Sequence, residues 1–242
     1  MSTDDLGYAG KDLEAMSFAV NYHRWILAVF APYLGTRLVE VGAGTGSFTE
    51  LLLEHRPQSL SLVEPAPEMF QQLAANMNQC VATNDLKLFN DTFERVSQDI
   101  RSTAKPDSII YVNVLEHIAD DERELKVISE TLDTSGRIFI FVPAFAWLYG
   151  SFDREINHYR RYSRNDLEDK CRRAGFKIIL SRYFDFFGML PWWVKYRLLK
   201  SKTMEPGAVK LYDQMIVPLA RTLEVRMPPM LGKNVLLIGE KL

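Results

Sequence analysis

The stretch VEVGAGTGSF, residues 39–48, sets three glycines at alternate positions directly behind an apolar run. Gly42, Gly44 and Gly46 let a chain leaving a strand turn tightly into a helix, and they let a ligand approach the backbone where a side chain would collide. Together with Ala43 they form the first candidate binding element. A dinucleotide fingerprint of the form G-x-G-x-x-G would need a glycine or alanine at position 47, which is Ser47. Position 40 discriminates further. Glu40 lies at the C-terminal edge of the same predicted strand, where a carboxylate repels a pyrophosphate and suits a cation such as a sulfonium with an amino-acid tail.

Outward from this loop, apolar runs alternate with amphipathic stretches, the pattern of an α/β fold with a parallel sheet. Strands are predicted near 38–41, 59–63, 86–89, 108–112 and 137–142, with helices near 47–55, 67–78 and 120–132. A leading helix over 13–33 stops at Pro32 and Gly35. Ser163 and Asp166 form a capping box for a helix that Gly175 ends, and 176–182 and 234–240 read as further strands. The remainder, 143–162 and 184–233, exceeds a minimal core, and excursions of that length usually serve or cover a site.

The chain has 242 residues and 47% hydrophobic content, enough for one domain over 1–242 with a sizeable core. A net charge of −2 supplies no general attraction to nucleic acid. Cys80 and Cys171 fit no disulfide framework or zinc spacing, no metal site is expected, and a cytoplasmic location follows from that cysteine usage. The acidic start MSTDDLGYAGKDLE is unlike a signal peptide, and the strongly apolar uncharged run 138–152 is too short to span a membrane.

Glu40-Val41-Gly42-Ala43-Gly44-Thr45-Gly46 resembles the first motif of the class I S-adenosylmethionine (SAM)-dependent methyltransferases, and the likeness continues in order through residues 38–142. By that resemblance Glu64, followed by Pro65, grips the ribose hydroxyls of SAM, Asp91-Thr92 lies near the adenine, and Asn113-Val114 lines the cofactor. The flanks NYHRWIL (21–27) and LYGSFDREINHYRRYSR (148–164) look like a group of bacterial methyltransferases found beside polysaccharide functions, which implies that Tyr22, Arg24 and Trp25 close over the amino-acid end. The resemblance further implies a Rossmann-like seven-stranded sheet, mostly parallel with an antiparallel last strand, sandwiched by helices.

Methyl transfer to an oxygen or nitrogen requires alignment and, where a proton must leave, a base. Candidates are His158, His117, Asp153 and Glu116, with His158 favoured because Asp153 is near enough in sequence to orient it. Tyr149, Tyr159, Phe187 and Trp192 are candidate acceptor contacts, and Arg160 and Arg161 a candidate anion clamp. Between 154 and 182, nine Lys/Arg stand against four Asp/Glu, a bias that a solvated helix face also explains. The aromatic run 183–200 reads as a pocket wall, a partner face or a helix resting on lipid headgroups. The acceptor is therefore a small molecule or a lipid- or sugar-linked group, with peripheral membrane contact as an option. Two rival readings are an NAD(P)-dependent short-chain dehydrogenase, suggested by Tyr196-x-x-x-Lys200, and a non-catalytic SAM-binding protein. A nucleic-acid amino-methyltransferase would show Asn/Asp-Pro-Pro-aromatic where this chain has Asn113-Val114-Leu115-Glu116.

Overall fold

The computed structural model describes residues 19–78 and 85–242. The start of the predicted leading helix and Cys80 lie outside the described residues. Five parallel strands, β1 (Arg37–Val41), β2 (Ser59–Val63), β3 (Leu86–Phe89), β4 (Ser108–Val112) and β5 (Arg137–Pro143), join β6 (Phe176–Phe184) and β7 (Asn234–Lys241) in one sheet of order β3-β2-β1-β4-β5-β7-β6. β7 is antiparallel to both β5 and β6. The last two strands thus form the antiparallel edge that was expected, with β7 slotted inside β6.

Alternation along the strands feeds a core on each face of the sheet. Val39, Val41, Ile109 and Tyr111 face one core, Leu38 and Ile110 the other. The first is covered by α4 (Phe93–Ala104), α5 (Asp121–Thr131) and α7 (Arg164–Arg173); the second by α1 (Val20–Phe30), α2 (Thr49–Glu54) and α3 (Pro67–Met77). The sequence pattern missed α4. Its buried stripe is Phe93, Ser97, Ile100 and Ala104, so half of a correctly spaced inner face is small or polar and the apolar periodicity is muted. Ser163 caps α7 through Asp166 N at 3.2 Å, and Gly175 follows at φ +90°, as the capping pattern predicts.

The segment after β5 contains a short helix α6 (Ser151–Glu155) and returns to the strand end, where Phe145 N bonds Tyr162 O and Tyr162 N bonds Pro143 O. The second excursion carries α8 (Met189–Trp192), running on into a π-helical turn (Trp193–Leu198), and then α9 (Pro206–Met215) and α10 (Val217–Arg226). The chain divides into α9 and α10 where Pro218 has no amide hydrogen to donate.

A long-range contact ties the second excursion to α1. The N-cap of α1 is Ala19, which has no side-chain acceptor. Asp213 of α9 supplies it instead, accepting Tyr22 N at 2.8 Å and Asn21 N at 3.0 Å. Asp213→Ala is therefore expected to cost about 0.5–2 kcal/mol, the usual range for a lost cap, read as a lower urea midpoint with the slope unchanged.

Candidate active site

The glycine loop follows β1 on the Leu38 side of the sheet. Gly42, Gly44 and Gly46 have φ of +70°, +57° and +94°, the left-handed region that glycine enters without strain. Gly42 is constrained twice, because a Cβ there would come within 2.4 Å of a Val114 methyl. The loop is held by its own turn, Gly46 N to Ala43 O at 2.9 Å, by Gly42 N on Val63 O at 2.8 Å, and by two carboxylates. Glu64 accepts Gly44 N at 2.8 Å through one oxygen and Ala66 N at 2.9 Å through the other. Glu40 accepts the Thr49 hydroxyl at 2.6 Å. Burial raises both carboxyls, Glu40 to about 8, because Thr49 is its one hydrogen-bond donor whereas Glu64 has two backbone amides. Pro65, Asp91, Thr92, Asn113 and Val114 are all half-buried. Asp91 accepts Thr92 N at 2.7 Å, and Asn113 turns at φ +54° as it leaves β4.

A second cluster forms where the segment after β5 crosses the chain after β4. Tyr159 N bonds Glu116 O at 2.9 Å, which brings His158 against Glu116 and His117. His158 Nδ1 lies 2.9 Å from Asp153 Oδ1, and Nε2 lies 3.8 Å from Glu116 Oε1. Asp153 is fully buried and also receives Arg161 Nε at 2.7 Å, Arg161 Nη2 at 3.1 Å and Gly150 N at 2.8 Å. Burial alone would raise its pKa, but His158 and Arg161 more than offset this, so the carboxyl sits below its usual range. Glu116 is equally buried, yet neither of its oxygens receives a side-chain or backbone hydrogen bond of good geometry. Burial pushes it to about 7, against the pull of His158 and Arg161. His117 packs edge-on against His158 at 4.5 Å, hydrogen-bonds the Ile156 backbone and is lowered to about 3 by burial and by His158, so it is neutral. Glu116, His117 and His158 each offer one ligand atom within 4.8 Å of the others, a donor set able to hold a divalent cation.

A family model described as a methyltransferase domain matches residues 17–181. The chain belongs to this methyltransferase family. No curated protein sequence matches it. Among solved structures, a SAM-dependent methyltransferase from Archaeoglobus fulgidus is similar at 17% identity and TM-score 0.60, covering 89% of this chain and 91% of its own. A SAM-dependent methyltransferase from Thermotoga maritima, described as a possible histamine N-methyltransferase, is similar at 16% identity and TM-score 0.60, covering 98% and 99%. The 1,6-didemethyltoxoflavin-N1-methyltransferase of Burkholderia thailandensis, solved with S-adenosylhomocysteine, is similar at 15% identity and TM-score 0.59, covering 96% and 82%. The fold is the class I fold of the SAM-dependent enzymes. The methyltransferase departs from the dehydrogenase reading on two counts: β7 runs antiparallel inside the sheet, and burial raises the Tyr196 hydroxyl, opposite to what proton transfer by a Tyr-Lys pair needs.

Several expected contacts are engaged elsewhere in the methyltransferase. Tyr22 is buried, with its hydroxyl on Asp185 and Asn234 at 3.1 and 3.0 Å, and Arg24 pairs with Glu54 at the surface. From α1 it is His23 that reaches the glycine segment, edge-on to Phe48 at 5.7 Å. Of the two arginines expected as an anion clamp, Arg160 pairs with Asp121 at 2.8 Å, and Arg161 with Asp153 and with the Trp192 ring at 4.8 Å. Tyr149 ties the loop through its hydroxyl to His158 O at 2.7 Å, while Tyr159 and Phe187 are exposed and Trp192 is half-buried. Sequence reasoning missed Asp121, which accepts Tyr162, Lys170 and Arg160, and Asp185, which accepts Tyr22, Tyr212, Gly188 N and Lys233. Neither stands in a motif, and their donors lie far along the chain, so no local signal marks them.

The raised carboxyl of Glu40 has a measurable consequence. Between the unperturbed value of 4.5 and about 8, the folded state holds a proton that the unfolded state has released. Stability then falls as pH rises through that window. Glu40→Gln removes this contribution, and the pH dependence of the urea midpoint over the window is expected to be shallower than in the wild type.

Proposed function

We propose that this methyltransferase moves the methyl group of SAM onto an oxygen or nitrogen atom of a small-molecule or lipid- or sugar-linked acceptor, with His158 as the general base. The observation that carries the reading is the buried Asp153–His158 pair beside Glu116 at the end of β4. Several features suit SAM. The left-handed glycine loop leaves room for close approach, and Glu64 keeps lone pairs beyond those used by Gly44 and Ala66 for a ribose diol. Glu40 is a buried, donor-poor carboxyl that a nearby cation would ionise. Asp91-Thr92 and Asn113-Val114 complete the proposed cofactor side. The segments 143–162 and 184–233 form the acceptor side of a single domain, and a cytoplasmic setting belongs to the same proposal.

When bound, SAM supplies a methyl carbon already activated by its sulfonium. Asp153 accepts the Nδ1 proton of His158, which fixes the tautomer and leaves Nε2 to take the proton that the acceptor O–H or N–H loses. The imidazolium so formed is stabilised by Asp153 on one side and by Glu116, 3.8 Å away, on the other. Arg161 holds the Asp153 carboxylate by two hydrogen bonds and keeps it from turning away.

Two variants separate the halves of this reading. His158→Ala is expected to lower turnover by about 10² to 10⁴-fold, the usual range for a base, while isothermal titration shows SAM affinity retained; near wild-type turnover removes His158 as the base. Glu64→Ala is expected to weaken SAM binding by about ten-fold or more, as loss of a charged hydrogen-bond acceptor does. Unchanged affinity in the folded variant overturns the ribose assignment. Titration of the wild type with SAM, S-adenosylhomocysteine and NAD should give heat with the first two alone.

A further inference from the structure

The helices α9 and α10 are apolar on two faces: Val209, Tyr212, Val217 and Ala220 pack against the core on the Leu38 side of the sheet, and a second apolar set faces outward. Their buried positions are Asp213 on α9 and Val217, Ala220 and Glu224 on α10. In the outward set, Leu211, Met215, Leu219, Leu223 and Met227 recur at every fourth position and are 43–77% exposed. Ile216, Val225, Met230 and Leu231 extend this exposed set. Isolated exposed apolar residues are ordinary, but a run at helical spacing that faces water is the mark of a surface with a partner.

Charge identifies the partner. Over 206–227 the acidic residues are Asp213 and Glu224, both buried, whereas Lys210, Arg221 and Arg226 are exposed. The preceding stretch adds exposed Lys200, while exposed Arg197 bonds Tyr149 O at 3.2 Å, exposed Lys202 lies 3.6 Å from Glu155, and Glu205 is its one exposed acid. This face is therefore cationic in a chain whose net charge is −2. A second copy docking through it would bring the same cations together, at an electrostatic cost. An anionic lipid surface takes both parts, since acyl chains receive the leucines and methionines while headgroups receive the lysines and arginines. No helix among the described residues is long and apolar enough to cross a membrane.

We propose that α9 and α10 seat this protein on the surface of an anionic phospholipid bilayer, with their apolar stripe at the acyl boundary. The helices are pinned to the strand ends that carry the site. Asp213 caps α1, Glu224 accepts Asp185 N and Phe186 N at 3.1 and 2.8 Å, and Tyr212 bonds Asp185. The exposed rings of Phe186 and Phe187 follow directly. Seating would thus present a membrane-borne acceptor beside the site. That last step rests on the proposed methyl transfer; the seating itself does not.

The test is co-sedimentation of the full chain with vesicles of phosphatidylcholine alone and of phosphatidylcholine with phosphatidylglycerol, at low and high salt. Binding to the anionic vesicles, weakened by salt, is expected, with Leu219→Glu/Leu223→Glu partitioning at least about ten-fold less. Both positions are exposed, so the variant should fold and keep SAM affinity, which separates failure of seating from failure of the cofactor reading. Absence of binding to the anionic vesicles, equal binding to both vesicle types, or equal binding of the variant overturns the proposal. So does a wild-type dimer in sedimentation equilibrium that the same variant dissociates, since the face would then be a protein interface.

Discussion

A carboxylate removed from water must find donors, and much of this structure is organised by that requirement near the C-terminal ends of its parallel strands. Glu64 takes the amides of Gly44 and Ala66, Asp153 takes His158 and Arg161, and Asp121 takes Tyr162, Lys170 and Arg160. Asp185 and Asp213 do the same for Tyr22, Tyr212, Lys233 and the first amides of α1. Asp153 braces its own loop, whereas Glu64, Asp121, Asp185 and Asp213 also join segments distant in sequence, so the loops that shape the site are braced by the groups they bury. Removing one partner of such a pair strands the other, which makes these bonds more costly to break than their net gain on folding suggests.

Glu40 and Glu116 are the exceptions, and their place is informative. Each is buried with few donors, and each is pushed far above the usual carboxylate range. Asp121 and Asp153, surrounded by cationic donors, are held below it. The two poorly donated groups sit at the glycine loop and beside His158, where a cationic methyl donor and a departing acceptor proton would supply the missing positive charge. Glu224 of α10 is also raised by burial, to about 7, but it has the Asp185 and Phe186 amides as donors.

The outer helices carry two of these carboxylates, Asp213 and Glu224, on a face that also packs Val209, Tyr212, Val217 and Ala220 against the core. Asp213 and Glu224 face inward because α1 and the Asp185 turn need acceptors for their amides. The leucines and methionines of the same helices lie on the opposite, outward face.

From the sequence alone came the strand positions of the parallel half, the left-handed glycine loop, the Ser163 cap and the class of the fold, because each rests on residues within a few positions of one another. His158 with Asp153 was legible for the same reason. Helix α4 was not, since Ser97 and Ala104 on its inner face hide the periodicity. Nor was the fate of Arg160 and Arg161, whose partners Asp121 and Asp153 become neighbours only when the segment after β5 folds back along the strand end at Tyr162. Local pattern determined which residues form strands, turns and caps, because backbone propensity and burial periodicity act over one or two turns of chain. Tertiary structure alone decided which charges meet which and which helix face stays outside, because pairing depends on side chains brought together across tens to hundreds of residues.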